Sequence, residues 1–592
     1  MYRAPLKEIR FAMHQLVGDG RLAGNADFPD YSTDYADSVL DEAASFAEGV
    51  LAPINAVGDR SGAEWAAGCV TMPPEFKVAY AKFVDAGWTT LRAPLQFGGQ
   101  GAPTVLVTAV DELWSAANLA FKLCPMLTRA AVEAITHCGT DEQKQRFLPK
   151  LISGEWTGTM NLTESQAGSD LGAIRTRAEL QGSHYRLHGE KIFITYGEHD
   201  YTGNIVHLVL ARIDGSPPGS RGISMFIVPK MLDGAAGEAT LRNDVRCSGI
   251  ERKLGIHASP TCVMTYGSGE GAVGYLVGEP NRGLEYMFVM MNAARLSVGL
   301  EGYAVAERSY QKAAEWARNR VQGRPAVVPP GASGRPVPIA GHADVKRMLL
   351  TMRATIDAAR AMTLYTALQL DIAGHDPDEA SRAHAQARAD LLIPIVKGWS
   401  TEVGFTLASL GIQVHGGMGF VEDTGAAQLL RDVRITTIYE GTTGIQSLDL
   451  IGRKLARDNG RAMRELVAQM RAELGQLEAA AGGARQSLAP TLEAVTLLAQ
   501  ATTDVLQATV RGPQYAQAVA VPYLHLAGTV IGAWLMAKTD ALAAAHLDED
   551  TEFYAGKQQA CRFYVQHLLP QTLALARVVA GGSESVVEAD LP

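Results

Sequence analysis

Apolar positions recur at helical spacing over about the first 155 residues, change to short β-branched and aromatic runs between about 156 and 280, and return to helical spacing from Asn281 onward. In the first stretch, residues 34–65 have the spacing of an amphipathic helix that stops before Pro53, residues 87–104 form a Gly- and Pro-punctuated loop, and Thr140 or Asp141 caps a helix stopped by Pro149. In the second stretch the runs 191–195, 204–213, 224–229 and 261–266 read as strands of a compact β domain. In the third, a long helix leads to an irregular Pro/Gly loop at 324–341. A second helix starts with Asp344 as N-cap and sets Val345, Met348, Leu349, Met352, Ile356 and Ala359 at core spacing. A third, around 379–410, kinks at Pro394, and the helix after Glu440 completes a four-helix bundle. An Ala/Leu-rich helical region with a linker at 480–487 follows Gly460. The expected class is α+β, with segments 1–155 (helical), 156–280 (β barrel or sandwich), 281–460 (four-helix bundle) and 461–592 (an additional helical domain).

Composition narrows the function classes. The 592 residues are 47% hydrophobic and 20% charged, as expected of a globular chain, and their net charge of -10 argues against a general nucleic-acid binder, which needs a basic face. The six cysteines, at 69, 124, 138, 247, 262 and 561, form no CxxC pair and are expected to be reduced, buried thiols, with no metal site, in a cytoplasmic protein. The N-terminal residues lack the continuous apolar stretch of a secretory signal. The run 516–537 carries Gln517, Pro522, Tyr523 and His525 and reads as a buried core helix, not an integral membrane segment.

Two stretches carry candidate chemistry. In RDVRITTIYEGTTGIQ, residues 431–446, Glu440 precedes a Gly-Thr-Thr turn where Thr442 or Thr443 caps the next helix. A carboxylate at such a boundary, partly desolvated, has its pKa raised toward neutrality and can act as a general base; a solvated Glu near a helix start is the plain alternative. In NLTESQAGSDLGAIRTRA, residues 161–178, glycines and backbone N–H groups form a tight turn that can approach a planar ring or a phosphate, or simply enter the β domain.

Several phrases, in order, resemble the acyl-CoA dehydrogenase family. LTESQAGSD is similar to its LTEPGAGSD signature and EKIFIT to its K-x-W-I-T strand; further segments are the 87–101 loop, GTDEQKQRFLPKLISGEWTG, QVHGGMGF at 413–420 and the Glu440 stretch. The resemblance spans about 35–460, and the added C-terminal region resembles a long bacterial branch of the family.

It implies FAD as cofactor, an acyl-CoA substrate, an electron-transfer flavoprotein as acceptor and a homodimer. It also implies Glu440 as the base that removes the α-proton while the β-hydride passes to the flavin. Leu162, Thr163, Gly168 and Ser169 match flavin or pyrophosphate contacts, Phe193 and Thr195 the flavin-flanking aromatic and the N5-bonding threonine, and Arg320 and Gln322 further FAD contacts. Gln413, Gly416 and Gly417 match the turn receiving the adenine half of the neighbouring subunit's FAD, and Thr442 a phosphate contact. Ser169, Arg295 and Gly441 match substrate positions; Arg295 alternatively serves as a structural ion-pair partner.

The chain departs from the common pattern in Phe193 for Trp, Gly444 for Gln, Asn292 for Asp, and a shortened RVQGR motif. The branch favours a methylthio-acyl or a straight fatty acyl chain. Rival readings are an acyl-CoA oxidase that uses oxygen and a non-catalytic, flavin-bearing, DNA-associated protein of the same fold.

Overall fold

The computed structural model describes residues 2–233, 239–324, 334–480 and 486–590. Half of the predicted 324–341 loop and most of the 480–487 linker therefore lie outside the described residues. The chain divides into two compact units: the first comprises residues 1–44, 104–116 and 298–592, the second 45–103 and 117–297.

The helix predicted to stop before Pro53 does not stop there. Helix α1 (Thr33–Phe46) passes through a wide π turn, Ala47–Leu51, into α2 (Ala52–Ser61), where Pro53 occupies the first turn. The chain is already helical at Leu51, so Pro53 removes one backbone donor, a loss that packing of the run offsets. After α3 (Thr104–Ala117) and α4 (Leu119–Cys138), helix α5 (Asp141–Ile152) runs through Pro149 near its C-terminal end. Thr140 rather than Asp141 caps α5, in a reciprocal box: Thr140 Oγ1 accepts from the Gln143 N–H at 3.2 Å and Gln143 Oε1 from the Thr140 N–H at 3.1 Å. Thr140→Ala is expected to cost about 1 kcal/mol locally, read as roughly fivefold faster amide exchange in the first turn of α5; unchanged exchange would contradict the cap.

The β region of the second unit comprises β1 (Trp156–Asn161), β2 (Arg177–Gln181), β3 (His184–Thr195), β4 (Asn204–Ile213), β5 (Ile223–Pro229), β6 (Val245–Ile250), β7 (Thr261–Tyr266) and β8 (Ala272–Val277). The order is β6-β7-β3-β8-β5-β4-β1, and β2 pairs with both β3 and β4, closing β3-β8-β5-β4-β2 into a small barrel without free edges. All but one of the pairings within that ring are antiparallel; β2 runs parallel to β4, as β1 does. β1 is buried along its whole length, consistent with α4 packing on it: a Cβ at Gly158 would sit 2.6 Å from the Ala131 Cβ.

The first unit is helical. Its long members are α6 (Gly283–Asn319, from Val298 onward), α7 (Ala343–His375) and α8 (Glu379–His415). α7 begins one residue before Asp344, with His342 at the cap position, and Asp344 lies in its first turn bonding Arg347. α8 continues through Pro394 as far as His415. Before Glu440 the chain forms α9 (Ala426–Val433) and a 3-10 turn, Arg434–Thr437, and the helix after Glu440, α10 (Thr443–Asp449), is short before widening into a π turn. Further along, α11 (Ala520–Ala545) packs against α7 and α8. It is the one helix among the described residues long and apolar enough to cross a membrane, but 78% of its apolar window is buried inside the protein, as a core helix requires. Its Tyr523 and Trp534 are fully buried and bond Thr502 and Glu473. All six cysteines are free; Cys69 is exposed and Cys138 half-buried, so only four are the buried thiols expected.

Candidate active site

In the second unit, the turn after β1 is built on one buried ion pair. The Glu164 N–H donates to the Ala167 carbonyl at 3.1 Å and the Ala167 N–H returns to Glu164 at 2.9 Å, closing a tight loop. The Glu164 carboxylate turns inward, where it accepts from the N–H of Arg175 (2.7 Å), the N–H (3.0 Å) and hydroxyl (2.6 Å) of Thr176, and Lys191 Nζ (2.8 Å). Burial alone would raise its pKa, but the Lys191 charge and these donors outweigh that and hold it at about 2. Burial brings the Lys191 ammonium down to about 8, against the pull of Glu164. Lys191 also donates to the Leu162 carbonyl at 2.9 Å, and the Ile192 N–H to that of Thr163 at 2.9 Å. Leu162 and Thr163 are thereby registered against β3, half-buried, while Gly168 and Ser169 are exposed. Neither Glu164 nor Lys191 was singled out from sequence, although both lie inside the quoted phrases LTESQAGSD and EKIFIT.

Phe193 is not a strand-core residue. Across β3 and β7, Ile194 pairs with Cys262 and Lys191 with Met264, leaving Ile192 and Phe193 opposite Val263 alone. This bulge turns Phe193 outward: its φ is +60° and it is 58% exposed, whereas Ile194 is buried. The Thr195 carbonyl accepts from Thr159 Oγ1 at 2.7 Å, and Tyr196, also left-handed, donates its hydroxyl to the Ala120 carbonyl of α4 at 2.8 Å, fixing the end of β3. Arg295, on α6, is buried with its guanidinium 5.9 Å from the Phe288 ring centroid, and both lie in the second unit.

In the first unit, Glu440 is half-buried and left-handed, with φ +54°, and Gly441 follows at φ +91°. At φ +91° a side chain would be strained, and a Cβ at Gly441 would lie 2.6 Å from Gln446 Nε2 and displace it, so the position favours glycine. Thr442, not Thr443, caps α10, accepting from the Ile445 N–H at 3.2 Å; Thr443 is buried and donates to Glu402 Oε1 at 2.6 Å. The hydroxyl of Tyr439, whose pKa is raised by burial and then by Glu301, donates to the Glu301 carboxylate. Gly444 has room for a side chain, a Cβ there meeting only Thr442 Oγ1 at 3.7 Å.

At the C-terminal end of α8, Gln413, Gly416 and Gly417 are exposed, and Gly416, with φ +63°, terminates the helix. Arg320 and Gln322 are exposed, bonded to each other at 2.7 Å in a strap closed by the Val321–Pro338 bridge. A cavity of about 720 Å³ in this unit, lined among others by Lys7, Glu8, Arg353, Asp357 and Lys557, holds none of the predicted site residues.

Each unit thus assembles a group of the predicted residues. In the second, an outward aromatic on a bulge accompanies a turn of open backbone, where a Cβ on Gly168 would meet nothing within 4 Å; this suits a flat, polar ring system with phosphates. In the first, a carboxylate is presented on a left-handed turn. Strained backbone at Phe193 and Glu440, two of the seven non-glycine residues with positive φ among the described residues, marks both groups.

Comparison with known proteins agrees. Sequence models of the acyl-CoA dehydrogenase N-terminal, middle and C-terminal domains match residues 33–155, 159–267 and 281–456, and a model described as acetyl-CoA dehydrogenase C-terminal like matches 453–590. The chain is 44% identical to 3-methylmercaptopropionyl-CoA dehydrogenase of Ruegeria pomeroyi over the full length of both. It is 33% identical to a broad-specificity linear acyl-CoA dehydrogenase of Mycobacterium tuberculosis, over 100% of this chain and 99% of that one. Among solved structures, Caenorhabditis elegans ACDH-11 in complex with C11-CoA aligns with a TM-score of 0.78 at 20% identity, over 100% of this chain and 96% of that one. A Bacillus anthracis acyl-CoA dehydrogenase complexed with FAD aligns at 0.74 and 22%, over 94% and 89%. The chain belongs to the acyl-CoA dehydrogenase family, the FAD-dependent oxidoreductases of CH–CH bonds, with the additional C-terminal helical region of its long members.

Proposed function

We propose that this acyl-CoA dehydrogenase uses Glu440 as its base to convert 3-(methylthio)propanoyl-CoA to the trans-2-enoyl thioester, and passes the electrons to an electron-transfer flavoprotein. The observation that carries the choice of base is the Glu440 turn: a half-buried carboxylate held in a left-handed conformation. The full-length 44% identity to a methylmercaptopropionyl-CoA dehydrogenase supports the methylthio chain. The 33% identity to a broad-specificity linear enzyme supports straight acyl chains as the second reading.

In the reaction, the Glu440 carboxylate takes the α-proton, and the Glu440 N–H is the donor suited to polarise the thioester carbonyl, whose developing negative charge makes the α-carbon acidic enough. FAD, when bound, supplies the hydride acceptor. Leu162, Thr163, Gly168, Ser169, Phe193 and Thr195 would hold it, Thr163 kept in register by the Glu164–Lys191 pair. Gln413, Gly416 and Gly417, exposed at the end of α8, together with exposed Met418 and Phe420, favour a homodimer in which this turn meets the neighbouring subunit's cofactor. Free thiols suit a cytoplasmic setting.

The reading is tested by comparing kcat/KM for 3-(methylthio)propanoyl-CoA and its hydrocarbon isostere pentanoyl-CoA, with the flavoprotein acceptor and with oxygen alone. A preference for the thioether and for the flavoprotein is expected. Preference for pentanoyl and longer chains would favour the linear-acyl reading, and stoichiometric peroxide without the flavoprotein would make the protein an oxidase.

A further inference from the structure

The Glu440–Gly441 turn places two consecutive carbonyls where they need donors from inside the protein, and the donors come from different elements. Gln446 on α10, fully buried, reaches back with its Nε2 to the Glu440 carbonyl at 3.0 Å and to that of Gly441 at 3.5 Å. Lys397 on α8, 0% exposed, donates its ammonium to the Gly441 carbonyl at 2.5 Å. Burying an ammonium is expensive, and a neutral amide or hydroxyl could donate to a carbonyl at far lower cost. What a protonated lysine adds is a positive charge next to the Gly441 carbonyl, one residue from the base.

We propose that Lys397 is a positioning residue for the dehydrogenation: it locks the left-handed Glu440–Gly441 turn through the Gly441 carbonyl and keeps Glu440 ionised before it takes the α-proton. This rests on Glu440 being the base. Other charged or titratable groups surround the turn. Glu301 of α6 is bonded by Tyr439, Glu402 of α8 is bonded by Thr443, and Arg434 is bonded to Thr437. Asp449 of α10 is paired with Arg453, and His525 of α11, its pKa lowered by burial, feels Glu402. Glu301 and Glu402, bonded by Tyr439 and Thr443 on either side of the turn, are carboxylates whose field a cation bound directly to this turn would oppose.

The test uses the FAD-loaded enzyme and three variants, Lys397→Met, Lys397→Gln and Lys397→Arg. The rate of anaerobic flavin reduction by an acyl-CoA is followed by rapid mixing across pH. Lys397→Met is expected to retain FAD, to lose about 100-fold in reduction rate, and to move the acidic limb of the pH profile about one unit higher, because a base without its neighbouring cation holds its proton more tightly. Lys397→Gln keeps a donor without the charge, so its limb moves similarly with a smaller loss of rate; Lys397→Arg restores the limb. A Lys397→Met profile lowered equally at every pH, or an arginine variant displaced as far as the methionine one, would overturn the proposal. If the methionine variant does not fold, an unmoved limb in Lys397→Gln does the same. Normal flavin reduction by Glu440→Gln would instead remove the base assignment, whatever the Lys397 variants do.

Discussion

Glu440→Gln is expected to leave a yellow protein with its full complement of FAD whose anaerobic reduction by an acyl-CoA falls by about 10⁴-fold, the upper end for loss of a positioned base. The amide is isosteric, and what holds the turn is main chain. Gln446 bonds the Glu440 carbonyl, Lys397 bonds the Gly441 carbonyl, and the α10 cap comes from Thr442. None of these uses the Glu440 side chain, and Thr163, Phe193 and Thr195, assigned to the flavin, lie in the other unit. Activity, not flavin content, is what should disappear. Reduction at the parental rate would pass the base to another carboxylate, Glu301 being the first to examine because it is buried and bonded to Tyr439.

Lys191→Met is expected to cost about 3–5 kcal/mol, because it leaves the Glu164 carboxylate buried without its counter-charge. The lost stability should be accompanied by release of FAD, since Lys191 also holds the Leu162 carbonyl beside Thr163. The double change Glu164→Gln with Lys191→Met removes both charges and should recover a large part of the loss. Thermal release of flavin fluorescence measures all three proteins. A single variant as stable as the parent, or a double variant no better than the single, would contradict this role. The pH dependence has a defined sign. The Glu164 pKa is lowered on folding from 4.5 to about 2, so its contribution to stability is fully present above pH 4.5 and is lost as pH falls toward 2. The double variant lacks that acid-labile component.

Much of the fold could be read from periodicity because helices and strands here bury continuous faces. The core spacing from Val345 to Ala359 places the start of α7 to within two residues, and the runs at 204–213 and 224–229 coincide with β4 and β5 to within one. Pro53 and Pro149 look like stops, yet both are carried within helical runs whose packing outweighs the missing bond, and Pro394 lies inside a helix as its neighbours' spacing suggests. The helix after Glu440 reads as a full bundle member but is only seven residues long before it widens.

At the proposed site, motif phrases point to residues but not to what holds them. Phe193 looks like any aromatic in a strand; its outward aim comes from a bulge set by pairing with β7, a partner distant in sequence. Lys191 lies 27 positions from Glu164, and Lys397 lies 44 from Gly441, so neither contact leaves a local pattern. Such support becomes visible only when the chain is folded, because it depends on which buried groups need a partner, not on spacing.

The most direct measurement of the central claim is anaerobic titration of the FAD-loaded protein with a panel of acyl-CoA thioesters, 3-(methylthio)propanoyl-CoA included, with the flavin spectrum recorded and the thioester product identified by mass. Bleaching of the flavin by at least one thioester, with a product two hydrogens lighter and a trans-2 double bond, is the predicted result. A flavin that stays oxidised with every acyl chain would contradict it.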